Sequence, residues 1–217
     1  MLGFTVNDTD EFAAAQPFPH VVRDGLWDND ELERIIAEFP AVHDPRWQRY
    51  SAEQERGKKA GGPRMQGACT RAWFDRARSR ETCGSLEKLT GITPLIADEL
   101  GGGMHLTAQG GRLGLHTDFQ QHPEPELRHL QRRINMLVFL STAWDPAWGG
   151  VLYLGAYRDV AVVPDWNRTV IFATSDTSWH GHPDPITGDH VRRSLACYYY
   201  SPAEPGAHLA ESTTWLT

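Results

Sequence analysis

The 217-residue sequence predicts a mainly β fold with N-terminal helices, a β-sandwich or double-sheet jelly roll buttressed by those helices. Three observations carry this expectation. Helical periodicity is confined to the first hundred residues. Seven short strand patterns follow between Met104 and Tyr200, punctuated by Gly, Pro and Asp turns. Hydrophobic residues make up 40% of the chain and include eight Trp and eight Phe, enough for one packed core at this length. The chain is therefore read as a single domain over 1–217, with helical support at about 28–100 and a β core at about 104–200.

Phe18–Val22 reads as a short strand. Asp28 or Asn29 then caps a helix whose first turn holds Asp30, Glu31 and Glu33, where the helix dipole favours negative charge. Leu32, Ile35, Ile36 and Phe39 recur at helical spacing, and Pro40 ends the helix. Residues 41–80 are polar and Gly/Pro-punctuated, and carry Trp47, Tyr50, Lys58, Lys59 and Trp73. Forty residues without periodicity is long for a passive connection, so a lid or substrate loop is expected there. Trp47 and Tyr50 either face a substrate or pack locally.

A second helix is expected over Ser85–Leu100, where Leu86, Leu89, Ile92, Leu95, Ile96 and Leu100 stay in register despite Pro94, with Gly101–Gly103 as its stop. The strands are Met104–Ala108, Arg112–His116, Ile134–Leu140, Val151–Leu154, Val160–Val163, Thr169–Ala173 and Val191–Tyr200. Gly110-Gly111, Trp148-Gly149-Gly150, Pro164-Asp165 and Gly188-Asp189 supply turns between them.

The formal net charge of −7 leaves no electrostatic footprint for nucleic acid or an anionic membrane, so neither is an expected partner. The apolar runs fall well short of the roughly 20 residues that span a bilayer, and the chain is read as cytoplasmic. Cys69, Cys83 and Cys197 show no paired spacing and read as free thiols. Oligomeric state is not legible.

The stretch Leu113–Phe119 carries the chemistry. His116 and Asp118 stand at i and i+2, on one side of a strand or of the turn after it, which makes half of a metal site. Ten His in an acidic chain supply one His-x-Asp nearly by chance, so the context decides. Ile171-Phe172-Ala173 leads through Thr174–Trp179 to His180, a third ligand candidate; His182 and His190 are the alternatives. Two imidazoles and a carboxylate on one face of an octahedron leave the opposite face open, as in non-haem iron oxygenases. Arg192 and Ser194 share one face of the last strand, and a guanidinium beside a hydroxyl suits a carboxylate. Arg193, on the other face, is the alternative anchor.

His116-x-Asp118, His180 and Arg192-x-Ser194, in this order, resemble the Fe(II)- and 2-oxoglutarate-dependent dioxygenases, most nearly the prolyl-4-hydroxylase-like branch. Phe18-Pro19-His20, Glu38-Phe39-Pro40, Trp144, Trp148-Gly149-Gly150 and Asn167-Arg168 extend the resemblance over the chain. It implies a double-stranded β-helix (cupin-like) fold. It further implies Fe(II) held by His116, Asp118 and His180, and 2-oxoglutarate anchored by Arg192 and Ser194. Oxygen is then consumed to give succinate, carbon dioxide and an oxidised substrate C–H bond. An Asp at 118 fills the coordination position that related halogenases leave to chloride, so the resemblance implies hydroxylation rather than halogenation.

The chain departs from the branch in its cosubstrate contacts, offering Leu106, Thr107, Gln109 and Phe139 where prolyl hydroxylases often use Tyr. Asn135, an inward Asn on an otherwise apolar strand, either contacts the cosubstrate or bonds within the core. Gln120, Gln121 and Arg128, in the polar loop 120–133, are candidate substrate contacts, as is Trp179 beside His180. The expected substrate is a small molecule, an amino acid or natural-product intermediate. A peptidyl proline and a catalytically silent metal-binding β-sandwich are the alternatives.

Overall fold

The computed structural model describes residues 2–216, and for residues 99–101 the backbone alone. Helix α1 (Val6–Ala14) opens the chain behind a Thr5–Asp8 capping box, in which each side chain accepts from the other residue's backbone N–H. Strand β1 (His20–Asp24) leads to helix α2 (Asn29–Glu38), capped by Asp28, which accepts from Glu31 N at 2.8 Å. The polar stretch that follows contains strands β2 (Gln48–Arg49) and β3 (Lys58–Gly61) and helix α3 (Ala68–Ala77). The Glu38 carboxylate caps α3 from outside, accepting from Cys69 N at 3.0 Å and Thr70 N at 2.9 Å.

Helix α4 (Arg80–Thr90) corrects the expected Ser85–Leu100 helix. Gly91 takes the left-handed conformation and ends it, and strand β4 runs over Ile96–Thr107. The apolar spacing beyond Thr90 is coincidental, for Leu95 is buried while Ile96 is 41% exposed. The glycine run is strand rather than helix stop. A Cβ at Gly102 would lie 2.6 Å from Ala196 O and one at Gly103 2.6 Å from Gly61 O, so these residues let flanking backbones close on β4.

The remaining strands are β5 (Leu113–Thr117), β6 (Leu130–Phe139), β7 (Leu152–Leu154), β8 (Val160–Val162), β9 (Arg168–Ala173), β10 (His180–His182), β11 (Arg192–Pro202) and β12 (Thr214–Trp215). All seven expected strands are present; β4 and β6 begin earlier than expected. The larger sheet has the order β1-β9-β6-β11-β4-β3-β2 and the smaller β12-β5-β10-β7-β8, with every pairing antiparallel.

Strand alternation divides the interior. Ile134, Met136 and Val138 of β6 and Leu195, Cys197 and Tyr199 of β11 pack in one cluster with Leu32, Ile35, Trp73, Phe74, Leu86 and Leu89 of the helices. Burying each such side chain stabilises by about 1.5–3 kcal/mol. The other faces of β6 and β9 meet the smaller sheet, where Phe139, Val170, Phe172, Leu152, Leu154 and Val162 form a second cluster. Beyond Phe139 the space between the sheets turns polar. No helix among the described residues is long and apolar enough to cross a membrane.

Candidate active site

His116 is the penultimate residue of β5 and His180 begins β10, and the ladder places them directly opposite one another, ring centroids 4.4 Å apart. Asp118 is the first residue after β5. One ligand atom from each of His116, Asp118 and His180 lies within 4.8 Å of the others, and all three residues are buried. Each imidazole is oriented by its own strand: Nδ1 of His116 meets Gly114 O and Nδ1 of His180 meets Ser178 O, both at 2.9 Å. A ring donating from Nδ1 presents an unprotonated Nε2, as metal ligation requires. Those Nε2 atoms face Asp118, at 3.7 Å for His116 and 3.4 Å for His180. Burial lowers the His180 pKa to about 4, so it is neutral at pH 7.

Asp118 is held from behind. Asn135 Nδ2 donates to its Oδ2 at 2.7 Å, Arg132 Nη2 stands 3.0 Å from the same oxygen, and Arg132 Nε donates to Asn135 Oδ1 at 2.8 Å. The Arg132 guanidinium lies 3.3 Å over the Tyr198 ring and 4.9 Å from that of Phe119. Burial alone would raise the Asp118 pKa; Arg132, His180 and His116 together hold it well below the ordinary carboxylate value. Asn135 therefore spends both ends of its amide on Asp118 and Arg132. Arg132, which lies within the expected polar loop 120–133, is a buried residue of β6.

Behind the triad is an inner pocket of about 70 Å³, lined among others by Lys58, His105, Thr107, Asn135, Arg192 and Ser194. Arg192 is buried, donates from Nε to Gly150 O at 3.0 Å and lies over the Phe139 ring at 4.8 Å. No carboxylate among the described residues pairs with it, and burial pulls its pKa down to about 9, so it remains charged at pH 7. The alternative anchor Arg193 points the other way over Phe39, and Arg168 is committed to a two-pronged pair with Asp24, both bonds 2.7 Å. His182 shares the inner pocket but lies outside the three-residue ligand group, and its buried Nδ1 has no partner. His190 stacks on Trp148 at 3.6 Å, at a separate surface depression. Burial, with the charges of Lys58 and Arg192, lowers the His105 pKa to about 3. Thus β4 contributes His105 and Thr107 here, whereas Leu106 belongs to the core.

An outer cleft of about 880 Å³ opens from the triad on the other side. Its walls include Arg46, Gln48, Tyr50, Glu55, Arg64 and Met65 from residues 41–80, with Phe119, Tyr198 and Trp215 around the triad. Of the aromatic residues in the expected lid or substrate loop 41–80, Tyr50 lines the cleft, while Trp47 is buried against Phe39 and donates to Ala41 O at 2.8 Å. The expected substrate contacts require correction. Gln120, Gln121, Arg128 and Trp179 do not line this cleft. Gln120 is buried, its backbone tied to Ala210 O and Arg132 N, both at 2.7 Å; Gln121 reaches back to Arg128 O; Arg128 ends an exposed turn; the Trp179 carbonyl accepts from Gly155 N at 2.7 Å. The loop 120–133 folds over its own ends because it is tied to the C-terminal segment. Trp215, which sequence reasoning missed, stands 5.1 Å from the His116 ring and is placed there by β12 pairing with β5.

Comparison with known proteins agrees with this geometry. The model of the 2OG-Fe(II) oxygenase superfamily matches residues 102–200, which contain the triad, Arg192 and Ser194. That matched segment, a little under half of the chain, is similar to this superfamily. Among solved structures, the oxygenase is folded like a Pseudomonas putida prolyl-4-hydroxylase, with 18% identity, coverage of 94% of this chain and 100% of the other, and a TM-score of 0.61. HygX from Streptomyces hygroscopicus, solved with nickel and 2-oxoglutarate bound, shares 13% identity over 93% and 88% of the chains, at a TM-score of 0.62. The α-ketoglutarate-dependent epimerase SnoN from nogalamycin biosynthesis shares 11% over 93% and 87%, also at 0.62. The oxygenase thus has the double-stranded β-helix fold its sequence implied, and its two-His, one-carboxylate donor set suits Fe(II). An unpaired buried guanidinium suits the acid cosubstrate. The reading as a catalytically silent sandwich gives way to a 2-oxoglutarate-dependent dioxygenase.

Proposed function

We propose that this oxygenase hydroxylates a C–H bond of a small molecule, an amino acid or natural-product intermediate, as one domain over 1–217 working in the cytoplasm, where its three free thiols are at home. One observation carries the reading: the buried triad lies between an inner pocket with an unpaired guanidinium and a cleft of about 880 Å³, within the size range of small-molecule sites. Arg64, which lines that cleft, is exposed and makes no ion pair among the described residues, which favours a substrate carrying an acid group.

His116, Asp118 and His180 hold the metal, and Arg192 with Ser194 holds the far carboxylate of 2-oxoglutarate. Bound there, iron and 2-oxoglutarate supply, with oxygen, the oxidising power for C–H attack as succinate and carbon dioxide leave. The protein's own work is positioning. Arg132 and Asn135 keep Asp118 ionised and aimed, the two backbone-tethered imidazoles keep Nε2 unprotonated, and Leu137 and Leu152 supply the pocket's apolar side.

The test is succinate release from anaerobically Fe(II)-loaded protein given 2-oxoglutarate and then air, with and without free amino acids, hydroxylatable natural-product acids and proline-containing peptides. Stimulation by a free acid is the expected result; stimulation by peptides alone would instead make it a peptidyl hydroxylase. Folded, iron-loaded protein that neither binds 2-oxoglutarate nor releases succinate would sink the proposal.

A further inference from the structure

Lys58 lines both the inner pocket and the outer cleft, and the roles assigned so far leave it without one. The ladders align Lys58 with Thr107 and Thr107 with Arg192, so one row across β3, β4 and β11 carries a cation at each end. Adjacent strands are about 4.7–4.9 Å apart, which puts the two backbone positions about 10 Å from each other. Their side chains converge on the pocket between them. The ends differ in their surroundings. Lys58 also lines the outer cleft beside His116, Asp118 and Arg132, whereas Arg192 lines the inner pocket and not the cleft, so Lys58 marks the metal end of the row.

Lys58 is also incompletely held. Its side chain is only 18% exposed, and an ammonium carries three donors. Its carboxylate partner, Glu55, stands on the cleft side with Oε1 3.5 Å from Nζ, beyond the 2.7–2.9 Å of a strong charge-assisted bond, and the Tyr50 ring lies at 4.9 Å. Burial lowers its pKa in spite of Glu55. On the inner side, Asp118 is already matched by Arg132 and Asn135. The pocket therefore holds two under-paired cations, one near the metal ligands and one remote from them.

Resting on the reading of the inner pocket as the 2-oxoglutarate site, we propose that Lys58 is a positioning residue for the carboxylate adjacent to the keto group. Arg192 takes the far carboxylate with its planar fork, and Lys58 takes the near one as a point charge. The pair sets which end of a nearly symmetric dicarboxylate reaches the metal, and the row length matches a five-carbon diacid reached from both sides by long side chains.

The test measures equilibrium binding of two ligands to Mn(II)-loaded protein without turnover. These are 2-oxoglutarate and 2-oxopentanoate, which keeps the keto acid end and the chain length but lacks the far carboxylate. Lys58→Met is expected to weaken both by a similar factor, about ten- to hundredfold for a lost charged hydrogen bond. Arg192→Met is expected to weaken 2-oxoglutarate and leave 2-oxopentanoate within about twofold. Lys58→Gln, a milder truncation, is measured alongside, with Mn(II) affinity and thermal melting as controls for folding. If either Lys58 variant binds Mn(II) and both keto acids as the wild type does, or loses 2-oxoglutarate alone, the inference is overturned. Wild-type protein that binds Mn(II) but neither keto acid would overturn the proposed function as well, so the two failures are distinguishable.

Discussion

The inner pocket and the outer cleft meet at the same residues, Lys58, His105, His116, Asp118, Arg132 and Tyr198, yet they are built in opposite ways. The inner pocket is walled by β3, β4, β5, β6, β7, β10 and β11, whose ladders fix most of its inward side chains. Its anchor Arg192 is buried without a carboxylate. The cleft's other walls come from a short hairpin, turns and a two-residue strand, and their exposed charges face solvent, as in Arg46, which pairs with Asp44 outside the cleft at 2.6 Å, and Arg64. Chemistry that tolerates no misplacement is thus held by the sheets. Recognition of what is oxidised falls to pieces that change without disturbing them.

The largest test of this division is removal of a metal ligand. His116→Ala is expected to abolish stoichiometric metal binding and succinate release while the protein stays folded, as calorimetry and circular dichroism will show. Asp118→Ala should do the same and also destabilise the fold by about 3–5 kcal/mol, because Arg132 is left buried without its partner. Equal unfolding midpoints for the two variants would mean that Arg132 does not depend on Asp118.

Acid should act on the inner pocket next. His180 and His105 have pKa values of about 4 and 3 in the folded chain, against 6.5 unperturbed. Between those values and 6.5 the unfolded chain binds protons that the folded chain does not, so stability rises with pH through this window and is lost as pH falls. Lowering a pKa by one corresponds to about 1.4 kcal/mol, so several kcal/mol are at stake in metal-free protein. Asp118, with its pKa lowered, contributes stability that is lost only below 3.8, beneath most of the window. Urea midpoints from pH 7 to 4 measure the slope, and His105→Gln should flatten it; an unchanged slope would place the titrating groups outside the pocket.

The same contrast explains how much was legible beforehand. His116, Asp118, His180 and Arg192 stood out because strand alternation and order along the chain carry a geometric meaning, and β6, β9 and β11 have apolar alternation strong enough to locate. The cleft had no such code. Lys58-Lys59-Ala60-Gly61 has little intrinsic strand preference and becomes β3 because β4 offers an edge, and β12 is two residues long. The Ser85–Leu100 error has a similar cause: periodicity at Leu95 and Ile96 outweighed Gly91 and Pro94, the true punctuation. Thr5-x-x-Asp8 is a readable capping signal for a helix that apolar periodicity alone does not reveal. The roles of Asn135 and Arg132 were illegible in principle, since they depend on which carboxylate the fold brings beneath them.

Those two residues provide a smaller effect. Asn135→Leu removes the 2.7 Å bond that orients Asp118 and leaves Arg132 to hold it alone. Loss of a partner behind a metal ligand typically costs about ten- to hundredfold in metal affinity, and Ni(II) titration should show a loss in that range. A variant that instead keeps its Ni(II) affinity and loses only 2-oxoglutarate would make Asn135 a cosubstrate contact.

Trp215→Ala is expected to have the smallest effect, and it separates the two regions most cleanly. Trp215 belongs to the cleft and not to the inner pocket, but its ring stands 5.1 Å from His116 at 40°. Aromatic pairs of this kind contribute about 0.5–1.5 kcal/mol, so Ni(II) affinity should fall by about two- to tenfold as His116 loses its outer neighbour. Binding of 2-oxoglutarate, measured at saturating Ni(II), should hold, because no inner-pocket side chain changes. Uncoupled succinate release should rise, because an opened roof admits water beside the triad. A fall in 2-oxoglutarate affinity at saturating metal would show that the cleft and the pocket are one site, and that the division drawn from their walls is wrong.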